Sequence, residues 1–226
     1  MSKFIKLGAC PHCGSKDNRA EYVNGYWCFG CSKYESKNDV ASLRSRLNKR
    51  LDNVNSHYPI HVVENIPPQA WKWLLKYNIT PEEVKKYKIR WSPMDMLVLC
   101  MTKDYWQARN FGFGNQKYKS NGNKPCLLYG KGKTVILVED VLSSIKIART
   151  DDYSSIPLLG SSLSKEIEDK LSTYKAVYVW LDRDKAKNAV RITNRLREIG
   201  ITSKVIVTEL DPKEYNKQEI NKWLKS

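Results

Sequence analysis

No run in this sequence approaches 18 consecutive apolar residues, which excludes a conventional membrane-spanning helix. The opening residues, Met1-Ser2-Lys3-Phe4, lack the apolar core of a secretory signal. There is no internal repeat and no low-complexity block. A Gly-x-x-x-x-Gly-Lys-Ser/Thr phosphate loop is also missing, which excludes the usual ATPase core. Acid is in short supply. Asp and Glu number 24 against 39 Lys and Arg, so the 226 residues carry a formal charge of +15. Such a balance predicts polyanion binding by counterion release, with affinity that weakens as salt rises. Basic chains also bind membrane surfaces, but nothing here supports a membrane partner. The length suits one to two domains.

What is present begins with cysteine. Cys10-Pro11-His12-Cys13 and Cys28-Phe29-Gly30-Cys31 are two Cys-x-x-Cys knuckles separated by a stretch that suits a β-hairpin. Two thiolates three residues apart can grip one tetrahedral ion. Without a signal sequence, six cysteines point to a reducing compartment, where such pairs are metal ligands more often than disulfides. About thirty residues build too little core to fold alone, so a zinc ion is expected to supply folding energy. A redox dithiol would need only one pair. His12 can replace a ligand, but four cysteines suffice. Arg19, Tyr22, Tyr26 and Trp27 are expected near the hairpin tip, either stacking on single-stranded bases or covering the small zinc core.

The rest of the chain is organised around two apolar runs that end in acid. Thr134-Val135-Ile136-Leu137-Val138 meets Glu139 and Asp140, and Val177-Tyr178-Val179-Trp180-Leu181 meets Asp182-Arg183-Asp184. Continuous apolar runs read as strands buried on both faces, as in a parallel sheet. Acids at the ends of two such strands face one rim, where open α/β sheets bind ligands. Carboxylates converging there repel one another and are tolerable around a divalent cation. Acids just past a strand also serve as helix N-caps, and Asp184 is placed to be one.

Between these modules, residues 40, 43, 47 and 51 mark one apolar face of a helix over 39–51 in a linker, followed by a polar stretch over 52–56. Pro67-Pro68 opens a helix with Ala70, Trp71, Leu74 and Leu75 on its apolar side. Thr80-Pro81-Glu82-Glu83 is a capping-box start. Met96 to Met101 and Tyr105 to Phe111 read as a hairpin. Lys117, Lys119 and Lys124 then sit in an expected loop with aromatic and glycine residues, suited to triphosphates or a template backbone, or simply solvated. From Thr134 the pattern is β-α-β-α-β-α-β with a terminal amphipathic helix. Asp211-Pro212 lies just before that helix, and Asp211 is either a further acid at the rim or a turn former.

The acid-bearing half resembles the TOPRIM domain of topoisomerases, bacterial-type primases and some nucleases. Its glutamate would be Glu139, its glycine Gly160 in Leu158-Leu159-Gly160-Ser161, and its Asp-x-Asp the pair Asp182 and Asp184. The family often has glycine directly after the glutamate and an acid three residues beyond that glycine, where this chain has Asp140 and Ser143. Gln107-Ala108-Arg109, the basic loop and Tyr129-Gly130 are similar to the primase polymerase core. The Asp-Pro-x-acid-Tyr segment at Asp211 is similar to a late primase motif. The order of modules resembles the primase half of phage-type primase–helicases and, more distantly, bacterial-type primases.

That resemblance implies an α/β chain in four parts: a zinc ribbon over 1–34, a linker with an amphipathic helix over 35–63, a mixed α+β basic subdomain over 64–133, and a TOPRIM parallel-sheet domain over 134–226. It implies a DNA primase that makes short RNA primers on single-stranded DNA for DNA replication, by two-metal nucleotidyl transfer. Cys10, Cys13, Cys28 and Cys31 would hold one structural zinc. Glu139, Asp182 and Asp184, with Asp211 as a weaker candidate, would hold one or two Mg²⁺ or Mn²⁺ ions. Arg109, Lys117, Lys119 and Lys124 would bind template and ribonucleoside triphosphates. The partner would be a separately encoded replicative helicase, and the location cytoplasmic, in a host cell if the chain is viral. Two other classes share these parts. A recombination mediator similar to the RecR family joins four cysteines to TOPRIM without catalysis, and a TOPRIM nuclease uses the same acids for hydrolysis.

Overall fold

A computed structural model describes residues 3–36 and 60–225. The helix expected over 39–51 and the polar stretch after it lie outside the described residues. The chain divides into two compact units, Met1–Ser56 and His57–Ser226.

The described part of the first unit is an antiparallel meander of β1 (Phe4–Gly8), β2 (Arg19–Tyr22), β3 (Gly25–Cys28) and β4 (Tyr34–Ser36). Val23 and Asn24 form the tight turn between β2 and β3, where Tyr22 pairs with Gly25. Arg19 pairs with Cys28 and so sits beside the knuckles, at the opposite end of the hairpin from the tip where it was expected. Cys10, Ala20 and Cys28 are buried, while Phe4, Ile5, Leu7, Val23, Phe29 and Tyr34 are exposed. So thin a core cannot offset the conformational entropy of ordering the meander, which leaves the work to a cross-link or a metal.

In the second unit, α1 (Pro68–Lys76) and α2 (Pro81–Lys86) lead into an antiparallel sheet in the order β5 (Arg90–Ser92), β6 (Met96–Met101), β7 (Tyr105–Asn110), β8 (Tyr118–Gly122). The capping box at Thr80 is present: its side chain accepts from the Glu83 N–H at 3.3 Å, and its N–H donates to the Glu83 carboxylate at 3.0 Å. Ala70 and Leu74 are buried, but Leu75 is exposed, contrary to its expected place on the apolar side. The basic stretch over 117–124 is no simple loop. Its middle is the edge strand β8, which β7 orders from one side. Polar residues run along its exposed length, so it carries no apolar alternation that would reveal a strand.

Then comes a five-stranded sheet in the order β13-β12-β10-β11-β9, built from β9 (Tyr129–Gly130), β10 (Thr134–Val138), β11 (Tyr153–Pro157), β12 (Ala176–Val179) and β13 (Ser203–Val205). All pairings are parallel except the edge strand β9. The helices are α3 (Val141–Ala148), α4 (Lys165–Leu171), α5 (Ala186–Glu198) and α6 (Lys217–Lys225).

Alternation along β10 explains why its sequence is apolar throughout. Val135 and Leu137 pack with Ile167, Leu171, Ile192 and Leu196 on one face, while Ile136 and Val138 pack with Ile147, Trp180, Ile220 and Leu224 on the other. Helices α4 and α5 thus cover one side, and α3 and α6 the other. A third core joins α1, α2 and the antiparallel sheet to α3 through Leu74, Ile89, Leu97, Leu142 and Ile145. Polar bonds lock the same interface. Lys146 donates to the Tyr77 carbonyl at 3.2 Å, and Arg149 grips Glu83 at 2.6 Å and the Asn78 carbonyl at 2.6 Å. These ties hold α3, whose N-terminus carries the first acids. The ladder of β12 stops at Val179, two residues short of the expected run, but Trp180 still donates to the Leu137 carbonyl at 2.9 Å. None of the helices among the described residues is long and apolar enough to cross a membrane.

Candidate active site and metal centre

In the first unit the four knuckle cysteines converge, with their sulfur atoms within 4.8 Å of one another. Cys10 and Cys31 are 3.8 Å apart, and Cys13 and Cys28 are 3.6 Å apart. Zinc–sulfur bonds of about 2.3 Å in a tetrahedron put sulfurs about 3.8 Å apart, so the set fits one zinc ion. The backbone N–H of Cys13 draws the Cys10 thiol down to about 6, toward the thiolate a metal needs. At Cys31 the Lys33 backbone bond pulls the same way, but burial and the three neighbouring sulfurs outweigh it and push the thiol up to about 11. Four thiolates cannot share this space without a cation. His12 is not at the centre; it pairs with Glu35, which also pairs with Arg19. The Arg19 guanidinium lies 3.9 Å over the Tyr26 ring.

In the second unit a cleft of about 260 Å³ opens at the carboxyl ends of the parallel strands. Gln107, Tyr118, Glu139, Asp140, Leu159, Gly160, Asp182 and Lys213 line it. Glu139 and Asp140 leave the end of β10. Asp140 caps α3, accepting from the Ser143 N–H at 2.9 Å and the Ser143 hydroxyl at 3.3 Å. Asp182 follows β12, whose end is held by Trp180, with its indole N–H donating to Thr208 at 2.8 Å. Leu159 and Gly160 both have positive φ, and the Gly160 N–H reaches the Glu139 carbonyl at 3.3 Å. At φ +142° Gly160 suits glycine alone, and a Cβ there would come within 2.8 Å of Lys124 Nζ. That close approach brings the Lys124 ammonium to the rim.

The electrostatics are those of a site built for positive charge. Glu139 Oε2 and Asp182 Oδ1 are buried and have no hydrogen-bond partner among the described residues. Burial raises the Glu139 carboxyl above its ordinary value. Burial likewise lifts Asp182 to about 7; Lys213 opposes the rise, and Asp211, Asp140 and Glu139 add to it. Lys213 stands among the acids, 2.9 Å from Asp140, 2.9 Å from Asp211 and 3.5 Å from Asp182. Burial alone would lower its pKa, but the carboxylates overcome this and raise it. Among the described residues only the cysteines converge within 4.8 Å as a metal-ligand group; the rim acids, with an ammonium between them, stand wider.

The expected site residues therefore separate. Glu139 and Asp182 meet in the cleft. Asp184 lies on the following 3-10 turn with an exposed side chain, paired with Lys185 and outside the cleft lining. Asp211 pairs with Lys213 and does not line the cleft. Arg109 packs among aromatic rings, 4.6 Å over Trp73 and 5.6 Å from Tyr118, opposite which it pairs on β8. Strand alternation along β8 puts Lys119 on the opposite face from Tyr118, Lys117 lies just before the strand, and neither lysine lines the cleft. Sequence reasoning missed Lys213, Tyr118 and Gln107 as cleft residues. Lys213 left a signal, a lysine between two acids in the segment that joins the last parallel strand to the terminal helix.

The chain is similar to solved primase fragments. One is the primase fragment of the bacteriophage T7 primase-helicase protein, at 15% identity, covering 99% of this chain and 98% of that one with a TM-score of 0.49. Another is the zinc-binding and RNA polymerase domains of the Aquifex aeolicus primase, at 17% identity, covering 99% and 80%, TM-score 0.49. A third is the RNA polymerase domain of the Mycobacterium tuberculosis primase DnaG, at 13% identity, covering 84% and 77%, TM-score 0.48. No protein-family model matches the sequence, and no curated protein does.

Proposed function

We propose that this chain is a DNA primase that synthesises short RNA primers on single-stranded DNA. The observation that carries the reading is the pair of buried, unpartnered carboxylate oxygens, Glu139 Oε2 and Asp182 Oδ1, at the carboxyl ends of adjacent parallel strands. Buried oxygens without donors cost free energy, and the set of hard oxygens suits Mg²⁺ or Mn²⁺. A divalent ion held by Glu139 and Asp182 would neutralise phosphate charge and lower the pKa of an attacking 3′-hydroxyl. Asp184 joins this set if it leaves Lys185.

The remaining roles follow from position and chemistry. Lys124, at Gly160, would take triphosphate oxygens. Arg109, held in its aromatic surroundings, and Gln107 and Tyr118, lining the cleft, would orient the incoming ribonucleotide or the template base. The four-cysteine module over 1–34, loaded with zinc, would select the template site and hold the growing primer. The linker over 35–63 would join it to a polymerase core made of residues 64–133 and 134–226. The formal charge of +15 supports a polyanionic template. Work beside a replicative helicase, in the cytoplasm, completes the proposal.

The test is a primer-synthesis assay on single-stranded DNA of varied sequence with labelled ribonucleotides and Mg²⁺ or Mn²⁺, with Asp182→Ala alongside. Short oligoribonucleotides made by the wild type and lost in the variant are the expected result. DNA shortening without synthesis would mean a nuclease. Binding with neither activity, in the presence of a replicative helicase as well, would mean a mediator.

A further inference from the structure

We propose that Lys213 is a built-in cation standing where a second divalent ion would otherwise sit, so that the acid rim loads a single metal. The inference rests on the proposed metal-dependent reading of the rim and concerns how many ions that rim takes. Two-metal sites share a carboxylate that offers one oxygen to each ion. Asp182 is arranged in this way, but with unlike cations. Its Oδ2 faces Lys213 Nζ at 3.5 Å, while its Oδ1 is buried and unpartnered. Lys213 occupies the other oxygens a second ion would need, Asp140 Oδ2 at 2.9 Å and Asp211 Oδ2 at 2.9 Å. Asp140 Oδ1 is already taken by the Ser143 N–H. The buried rim oxygens left without a partner among the described residues are Glu139 Oε2 and Asp182 Oδ1, one from each acid, and to this pair we assign a single ion.

Lys213 is not a surface side chain that happens to lean inward. Its side chain is 12% exposed. It leaves a 3-10 turn, Pro212–Glu214, that is fixed at both ends. The Asp211 N–H donates to the Glu214 carboxylate at 3.2 Å, and the Leu210 N–H donates to the Tyr215 hydroxyl at 3.2 Å. The Tyr215 ring lies 5.8 Å from that of Trp180, two residues before Asp182. The turn is thus tied to the strand end that carries the shared acid. Lys185, another ammonium nearby, is engaged by Asp184, while Asp140 and Asp211 pair with Lys213.

The experiment is direct counting of Mn²⁺ by electron paramagnetic resonance of the free ion, on the full-length, zinc-loaded protein. Zinc fills the thiolate site, and Mn²⁺ prefers oxygen donors, so the count reports the rim. The wild type is expected to bind one Mn²⁺ that Asp182→Asn abolishes. Lys213→Met is expected to bind two, and Lys213→Arg one. Circular dichroism checks that each variant folds. If Lys213→Met does not fold, the wild-type count still decides. Two rim ions in the wild type, or one in folded Lys213→Met, would overturn the proposal and leave the metal-dependent function standing. No Asp182-dependent Mn²⁺ in either protein would overturn the metal-dependent function itself.

Discussion

Asp182 gives the sharpest prediction, because its burial makes it a liability in the absence of metal. The perturbation is Asp182→Asn, which keeps the shape and removes the charge. Burial lifts this carboxyl from an ordinary 3.8 to about 7. The folded state therefore holds a proton that the unfolded state gives up across that window. Stability bound to the site is fully present below pH 4 and is lost as pH rises toward 7. About 3 units at roughly 1.4 kcal/mol each gives about 4 kcal/mol as an upper bound. Between pH 5 and pH 8, with partial water access and Lys213 nearby, about 2 kcal/mol is the reasonable share. In a unit of this size that corresponds to about 4–8 °C in Tm. Calorimetry in divalent-free buffer should show the variant gaining this margin over the wild type as pH goes from 5 to 8. Glu139 is raised in the same direction and is present in both proteins, so only its coupling to Asp182 enters the difference. Added Mg²⁺ should shrink or reverse the margin, because on the proposed reading only the wild type would bind it well. A difference in Tm that does not change with pH would refute the reasoning, since the penalty would then not be one of charge.

Three further outcomes follow from the geometry. Cys28→Ser should cost the protein its zinc, read by metal analysis, and unfold the meander; full metal content in the variant would remove the four-cysteine centre. Gly160→Ala should strain a φ of +142° and press on Lys124, lowering turnover or raising the nucleotide KM several-fold; unaltered kinetics would mean that the loop tolerates a shift without touching the rim. Lys124→Ala should raise the apparent nucleotide KM by about tenfold, the size of one charged contact, with kcat nearly kept; an unchanged KM would make Lys124 an ordinary solvated lysine.

Much of the fold was legible in the sequence because its strongest signals are local. The apolar runs of β10 and β12, the capping box at Thr80 and the paired knuckles each depend on residues close together in the chain. What was illegible depends on a neighbour. Tyr118 to Gly122 has no apolar alternation, and only pairing with β7 makes it a strand. The inward face of that strand then decides that Tyr118, not Lys117 or Lys119, meets the cleft. Lys213 is distant in sequence from Asp140 and Asp182 and becomes their partner only when the sheet brings the strand ends together. No period or spacing reports such a contact.

The acids themselves separate into two kinds once their partners are known. From sequence each had a structural and a functional reading. Asp140 has a full structural account, since it caps α3 through Ser143. Asp211 is answered by Lys213, and Asp184 by Lys185 in solvent. Any of these three would exist in a protein with no catalytic role. Glu139 and Asp182 differ. Each keeps one oxygen buried without a donor, and burial penalises the charge of both. A buried unsatisfied carboxylate costs stability, and an asparagine or glutamine in the same place would cost less. The long Lys213 contact returns little of this to Asp182, and on the proposed reading the return is the cation that the two free oxygens would bind.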